Sequence, residues 1–140
     1  MPVESHRLSV SSRGSTHVID LTKQVETVLA QGTLRDGIVT VHVIGSTASI
    51  TTTEFEPGLV RTDLRIAYEL LAPIDGEYEH EKTWHDDNGH SHVRATVTGP
   101  SVTVPLIDGA LTLGTWQQLI LIDFDTRPRE REIVVQVIGE

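Results

Sequence analysis

The sequence predicts a β-rich α+β domain of packed, mainly antiparallel sheet with about two helices. Strand-like segments follow one another through most of the second half of the chain, with no helical pattern between them. Only two segments carry apolar residues at helical spacing. Strands in series with few helices are typical of α+β folds, not of alternating α/β folds. A chain of 140 residues suits one core, so residues 1–140 are interpreted as a single domain.

Two segments in the first half of the chain are predicted to be helices. The first follows Asp20, a residue favoured at helix N-termini, and ends at Gly32. The second starts at Pro57, which suits a first helical turn, and stops at Pro73. Both have an apolar face, formed by Leu21, Val25, Val28 and Leu29 in the first and by Leu59, Val60, Leu64, Ala67, Leu70 and Leu71 in the second. Residues 74–89 are polar and acidic, which predicts a long loop or a loop with a short ordered turn.

Strands are predicted wherever β-branched residues alternate or run together. The predicted ranges are Glu4–Val10 at a sheet edge, Ile38–Ile44, Ala48–Thr53, His92–Thr98, Val102–Ile107, Leu111–Leu113, Leu119–Phe124 and Glu132–Ile138. Asp108-Gly109 predicts a two-residue hairpin turn, because both central residues of such a turn need positive φ. The last strand is almost continuously apolar, which predicts burial on both faces. Surplus apolar surface on so small a domain is often covered by another subunit.

Charge and composition exclude several classes of function. The formal net charge is −9 and there is no basic run, which disfavours binding to a nucleic-acid backbone. The chain has no cysteine, so disulfides, thiolate zinc sites and cysteine nucleophiles are excluded. It shows neither the start of a signal peptide nor an apolar run near the ~20 residues of a membrane span. We therefore expect a cytoplasmic protein without membrane or nucleic-acid partners.

Histidines are concentrated in one segment, which is the most unusual local feature of the sequence. Four of the seven lie between His80 and His92, beside Asp86 and Asp87. If His90 and His92 lie on a strand, they point to the same face with Cα atoms ~6–7 Å apart. Two imidazoles at that spacing can bind one metal ion, with His80 as the natural third ligand. The alternative is a solvated acidic loop without a ligand.

Further candidates lie elsewhere in the chain. Glu54 and Asp63 could each act as a general base or as a metal ligand, whereas Glu56 is better explained by the positive end of the following helix. In the Gly-Thr-Trp-Gln element, Trp116 and Gln117 could face a ligand, although a buried tryptophan is the commoner explanation.

No phosphate loop, dinucleotide-binding glycine pattern or nucleophile elbow is present. Three arginines could meet a phosphate, but their spacing does not single them out: Arg61, Arg65 and Arg94.

Taken in order, several segments resemble the YjbQ-like family, also called the UPF0047 group. The matching segments are Gly37–Val41, Ser46–Thr51, Tyr78–His80, Ser91–Ala95, Gly99–Pro105, Asp108-Gly109, Leu113–Gln117 and Val137–Glu140. The Gly-Thr-Trp-Gln element and the terminal Gly-Glu are the specific ones. The resemblance implies a compact α+β fold, a homotrimer and a histidine-bearing cleft near subunit contacts. Some members of the family have a weak thiamine-phosphate synthase activity.

The resemblance also assigns individual residues. Family histidines match His80 and His92, a family glutamate matches Glu54, and a family aspartate matches Asp63. The chain departs from the family at two positions, where Gly45 replaces a common histidine and Thr53 replaces a common asparagine. We infer separately that His90 replaces the missing imidazole.

Two main functional hypotheses follow. In the first, a divalent cation such as zinc is held by His80, His92 and His90, and the chain acts as an enzyme on a small phosphorylated metabolite. Glu54 and Asp63 are then the catalytic candidates, and the substrate-binding candidates are Thr47, Trp116 and Gln117. In the second, the same cleft belongs to a non-catalytic trimeric module that binds or senses a small molecule. A structural trimer without a site is the third reading.

Overall fold

The computed structural model describes residues 1–140 and contains eight strands and four α-helices. The strands are β1 (Val3–Ser12), β2 (His17–Asp20), β3 (Gly37–Ile44), β4 (Ala48–Glu54), β5 (Ser101–Ile107), β6 (Ala110–Leu111), β7 (Gln117–Asp123) and β8 (Arg129–Gly139), and the helices are α1 (Thr22–Gln31), α2 (Leu64–Leu71), α3 (Glu79–Trp84) and α4 (Gly89–Thr98). A π-helical turn, Leu59–Asp63, leads directly into α2. No helix combines the length and the apolar character that a membrane span needs.

The strands form two antiparallel sheets. The large sheet has the order β1-β8-β3-β5-β6 and the small sheet has the order β2-β7-β4. The predicted α+β fold class with mainly antiparallel sheet is therefore confirmed. The hairpin predicted at Asp108-Gly109 is also present, with φ of 51° and 77° at its two central residues.

The small sheet is covered on both faces, because successive residues of β7 point to opposite sides. Leu119 and Leu121 pack with α1 and the inner face of the large sheet, whereas Ile120 and Ile122 pack with Val60 and the helical layer. The continuous apolar run of β7 thus corresponds to burial on both faces. The domain has three layers: the large sheet, the small sheet and the helices around α2 and α4.

The last strand differs from its prediction. β8 lies between β1 and β3, but its burial alternates, with Ile133, Val135 and Val137 buried and Val134 and Ile138 only half-buried. Only one face of the large sheet is covered within this chain. The expectation of burial on both faces is therefore wrong for β8 in the isolated chain.

Two of the four helices were not predicted. The range His92–Thr98 was predicted as a strand because it is rich in Val and Thr, yet it forms the last two turns of α4. Ser91 and Ala95, four residues apart, face the small sheet, and the hydroxyl of Ser49 donates to the carbonyl of Ala95. Packing on the small sheet therefore overrides the β-propensity of this segment.

The helix α3 lies in the segment that was predicted as a loop. It begins after Tyr78 and ends at His85, which adopts a left-handed conformation with φ of 56°. Glu79 and Glu81 lie in its first turn, where negative charge is favourable. The acidic residues that suggested a solvated loop are thus also suited to a helix N-terminus.

A buried ion pair joins the two sheets. Arg131 of β8 donates through Nε and Nη2 to the carboxylate of Asp123 at the end of β7, at 2.7 and 2.8 Å. Asp123 is fully buried and Arg131 is 7% exposed. The same Nη2 also donates to the hydroxyl of Thr47, which donates in turn to Asp125. The network leaves few of its polar atoms unpaired, as buried charges require.

We expect Asp123→Ala to lower the free energy of unfolding by about 3–5 kcal/mol, because it removes the bidentate partner of the buried Arg131 guanidinium and leaves only Asp125, 3.8 Å away. Urea unfolding would measure the change. The matched control is Glu132→Ala, which removes the partner of Arg7 from an exposed pair on the same large sheet. That control should cost less than about 1 kcal/mol. Equal losses for both variants would contradict a special role of the buried pair.

Asp125 should make stability depend on acid pH. Burial alone would raise the pKa of its carboxyl, but hydrogen bonds from the Thr126 amide and the Thr47 hydroxyl, with the nearby charge of Arg129, hold the pKa below 3.8. Because the folded pKa is depressed, this contribution is present above pH ~4 and is lost as the pH falls through the folded pKa. Unfolding followed from pH 6 to 2 should show the stability gap between wild type and Asp125→Asn closing below pH ~4.

Candidate metal centre

His80 lies beside two carboxylates. Its Nδ1 atom is 3.0 Å from Asp86 Oδ1 and 3.4 Å from Glu81 Oε1, and one donor atom from each residue falls within 4.8 Å of the others. The buried Nδ1 atom nevertheless makes no hydrogen bond. Imidazole nitrogen and carboxylate oxygen are both ligands of zinc and related divalent cations. The Nδ1 atom of His80 is therefore a buried ligand atom without a hydrogen-bond partner, beside two carboxylates.

The ring of His92, on α4, lies beside the ring of His80. Its ring centroid lies 4.6 Å from that of His80, and its Nδ1 atom lies 3.1 Å from the carbonyl oxygen of Ser46. A carbonyl can only accept, so Nδ1 carries the proton when the ring is neutral. The lone pair then sits on Nε2, the arrangement in which a backbone carbonyl orients a ligating histidine.

The approach of α3 to α4 depends on Gly89. Its amide donates to the carboxylate of Glu81 in a short hydrogen bond, so the start of α4 is tied to α3. A Cβ on Gly89 would lie 2.6 Å from the Cβ of Tyr78 and closer still to that carboxylate. Glycine is therefore required for the contact that brings His80 and His92 together. The oxygen of Glu81 that accepts this bond, Oε1, is also the one that lies 3.4 Å from His80 Nδ1.

His90 does not join the other two histidines. The prediction that His90 and His92 share a face assumed a strand, and on the helix α4 residues two apart point about 200° away from each other. The His90 side chain is 3% exposed, and its Nδ1 atom has no hydrogen-bond partner. Burial, with a smaller effect of Arg94, lowers the pKa of His90 and favours the neutral ring. The geometric reason for including His90 in the ligand set is therefore wrong.

Thr47 is engaged in the buried ion-pair network, not in an open cleft. Its hydroxyl donates to Asp125 and accepts from Arg131. At the neighbouring Gly45, where φ is 145°, a Cβ would lie 2.8 Å from Nη1 of Arg131. The guanidinium of Arg131 thus lies where a side chain at position 45 would begin.

The remaining candidates lie at the opposite end of the small sheet. Glu54 pairs with Gln117 across β4 and β7, six residues along β4 from Ala48, which corresponds to about 20 Å. Glu54 lines a cleft of about 650 Å³ with Trp116, which is 72% exposed and so is not the buried residue that was considered commoner. Gln117 supports the turn before β7 by accepting from the amide of Gly114 and donating to Thr52.

Two further carboxylates, Glu56 and Asp63, differ in their contacts. Glu56 accepts hydrogen bonds from the amides of Gly58 and Leu59, which lower the pKa of its carboxyl and confirm its predicted place at the helix N-terminus. Asp63 is exposed on the π-helical turn. It lines neither the cleft nor the histidine cluster, which consists of His80, His92, Glu81 and Asp86. Within one chain, Asp63 is thus separate from both groups of candidates.

Sequence reasoning missed Glu81 and the Ser46 carbonyl. Glu81 belongs to the histidine cluster only because α3 exists, and the sequence carried a weak signal for that helix in its acidic first turn. The carbonyl of Ser46 has no side-chain signature at all. Asp86 was noted beside the histidines, and the structure brings it within 3.0 Å of His80.

Comparison with known proteins places the chain in a family. Residues 6–140 match the family described as UPF0047 protein YjbQ-like. A UPF0047 protein of Methanothermobacter thermautotrophicus is 36% identical over 140 residues, which are 100% of this chain and 95% of the relative. A UPF0047 protein of Archaeoglobus fulgidus is 35% identical over 131 residues, 94% of this chain and 98% of the relative.

Solved structures have the same fold. A YbjQ-like protein of unknown function from Sulfolobus solfataricus superimposes with a TM-score of 0.88 at 29% identity, covering 99% of this chain and 100% of that one. The hypothetical protein APE1520 from Aeropyrum pernix superimposes with a TM-score of 0.90 at 31% identity, covering 98% and 99%. The chain therefore belongs to the UPF0047 family of YjbQ-like proteins, as its sequence motifs indicated.

Proposed function

We propose that this chain binds a divalent cation such as zinc through His80, His92 and Asp86, and that it is a metal-assisted enzyme acting on a small phosphorylated metabolite. The observation that carries the proposal is the unpaired Nδ1 atom of His80, which lies 3.0 Å from Asp86 Oδ1 and whose ring lies 4.6 Å from the ring of His92. Glu81 is the natural fourth ligand, through the Oε1 atom that lies 3.4 Å from His80 Nδ1 and also accepts from the Gly89 amide.

The surroundings of the cluster support metal binding. The carbonyl of Ser46 leaves Nε2 of His92 unprotonated, as a metal ligand must be. His80 and Glu81 are half-buried and Asp86 is exposed, so a ligand can enter from solvent. A bound divalent cation would supply positive charge to neutralise a phosphate or pyrophosphate group, which an acidic chain otherwise repels. Transfer of the kind catalysed by thiamine-phosphate synthases is the reaction class that the family resemblance suggests.

A catalytic role for Glu54 requires a second copy of the chain. About 20 Å of β4 separate Glu54 from the residues beside His92, so one chain cannot bring both to the same substrate. The homotrimer implied by the family resemblance would resolve this if the cleft of Glu54 and Trp116 from one copy faced the histidines of another. Exposed apolar residues on α2, among them Ile66 and Leu70, are consistent with such a contact.

The alternative function is a non-catalytic, trimeric module that binds a small molecule. The exposed indole of Trp116 at a cleft of about 650 Å³ favours it, because aromatic side chains commonly line small-molecule binding sites. Retention of a phosphorylated ligand without product during long incubation would favour this alternative over the enzyme.

The double variant His80→Ala/His92→Ala should lose the metal. We expect near-stoichiometric zinc or another divalent cation in untagged wild-type protein and none in the variant, because both imidazole ligands are removed. Elemental analysis would measure it. The matched control is His85→Asn, which changes an exposed histidine of the same segment and retains a residue type that tolerates its left-handed conformation. Equal metal in wild type and double variant would exclude this centre.

Gly89→Ala should weaken metal binding without touching a ligand. The added Cβ would push Tyr78 and Glu81 away from the start of α4 and so separate His80 from His92. We expect a loss of metal affinity of roughly 10–100-fold, the range for changes to groups that orient ligands. Competition with a chromophoric chelator would measure it. Gly114→Ala is the control, since a Cβ there meets only ordinary contacts at 3.7 Å; an equal loss in both variants would contradict the explanation.

A further inference from the structure

Three arginines without carboxylate partners line one pocket. Arg13, Arg61 and Arg65 surround a pocket of about 300 Å³ together with His17. None of the three forms a salt bridge, whereas Arg7, Arg94, Arg129 and Arg131 all do. The chain has 20 acidic residues and a net charge of −9, so unpaired guanidinium groups gathered at one place are unexpected. This arginine pocket is a local positive region on an acidic protein.

The two helical arginines are arranged unfavourably for the free chain. Arg61 and Arg65 lie four residues apart on the continuous helix that runs from the π-helical turn into α2. Like charges at that spacing destabilise a helix. An anion bound between the two guanidinium groups would remove this repulsion and would satisfy donors that now face water.

The third arginine precedes a loop that is held in a rare conformation. Gly14, Ser15 and Thr16 all have positive φ, at 74°, 53° and 64°. Such a conformation is unfavourable for a β-branched residue such as Thr16 and persists only where the surroundings enforce it. The carbonyls of Asp125 and Asp123 accept from the amides of Ser15 and Thr16, at 2.7 and 2.8 Å. These hydrogen bonds to the segment after β7 hold the loop in place, and the residues at its two ends, Arg13 and His17, line the pocket.

His17 adds a neutral donor. Its Nδ1 atom accepts a hydrogen bond from the backbone amide of Arg13 at 3.0 Å. Burial, and then the charge of Arg13, lower the pKa of His17, so the ring is neutral at pH 7. With Nδ1 acting as the acceptor, the proton of the neutral ring is on Nε2. The pocket is therefore lined by three guanidinium groups and by one neutral imidazole that carries an N–H donor.

We propose that this pocket binds the phosphate group of a small phosphorylated ligand. Guanidinium forks match the oxygens of phosphate, and a pocket of about 300 Å³ suits one or two phosphate groups. Phe55 and Pro57 line both this pocket and the cleft of Trp116, so the organic part of the ligand would extend over Phe55 towards the indole. No residue of the pocket belongs to the histidine cluster, and the inference does not depend on a bound metal.

The test is calorimetric titration of inorganic phosphate and of pyrophosphate into chelator-treated protein, at an ionic strength fixed with potassium chloride. Wild type should bind pyrophosphate more tightly than phosphate. Arg61→Gln and Arg65→Gln should each weaken pyrophosphate binding roughly tenfold or more, the scale of one lost charge-assisted contact. The matched control is Arg7→Gln, which removes one positive charge from an exposed position on the large sheet and should leave the affinity unchanged.

Other outcomes would overturn the assignment. No binding of either anion by wild type, or an equal loss in Arg7→Gln and Arg65→Gln, would show that no specific site exists. The variant Arg65→Lys keeps the charge and removes the fork, so undiminished binding would reject the role given to guanidinium geometry. Pyrophosphate binding should persist in His80→Ala/His92→Ala. Its loss there would assign the anion to the histidine cluster instead, while failure of metal binding alone would leave this pocket intact.

Discussion

The structure depends on the end of β7, where the buried pair of Asp123 and Arg131 joins the small sheet to the large one. A carboxylate that is fully buried must be compensated, and the bidentate guanidinium does this at 2.7 and 2.8 Å. Because Arg131 belongs to β8 and Asp123 to β7, the pair fixes how the two sheets face each other. The glycine at position 45 follows from it, since any Cβ there would meet the same guanidinium.

The same short segment supports both candidate sites. The backbone carbonyls of Asp123 and Asp125 hold the left-handed loop that presents Arg13, while the carbonyl of Phe124 accepts from the hydroxyl of Ser91 on α4. The side chain of Thr126 donates to Asp87, in the segment between α3 and α4. Residues 123–126 therefore make hydrogen bonds to both the loop beside the arginine pocket and the helical segment that carries the histidine cluster.

The three arginines that were considered as phosphate contacts differ in burial, and this difference separates a structural arginine from two candidates for ligand binding. Arg94 was considered together with Arg61 and Arg65 as a phosphate contact, but its side chain is 1% exposed and its donors are used internally. It donates to the carbonyl of Ala72 beyond the end of α2, to Glu69 and to the hydroxyl of Thr16. Arg94 is thus a structural cation that satisfies a helix C-terminus, and the exposed pair is left as the candidate for a ligand.

The sequence predicted those parts of the fold whose local signals agree with their packing. β7 carries an apolar run that suits a strand covered on both sides, and α2 has an apolar helical repeat, so both were predicted with the right type. In α4, Val93, Thr96 and Val97 favour a strand locally, and only contact with β4 selects a helix. That error carried into the site, because it placed His90 beside His92.

The expected proximity of His80 and His92 did not depend on whether α4 was a strand or a helix, because it required only that the chain between them fold back. The arginine pocket could not be predicted, because Arg13 meets Arg61 and Arg65 only through the contact of β2 with the helical layer.

The position of Glu54 sets the strongest constraint on how the chain works. A rigid strand about 20 Å long separates its cleft from the histidine cluster, and hydrogen bonds of β4 with β7 along that whole length prevent the two ends from approaching each other. The arginine pocket, in contrast, adjoins that cleft through Phe55 and Pro57. A ligand with a phosphate at one end would therefore be recognised by Arg61 and Arg65 while its other end lay near Glu54 and Trp116. Because of that distance, Glu54 and the histidines could act on the same ligand only if the histidines came from a neighbouring copy of the chain, so a reaction that used both would require assembly.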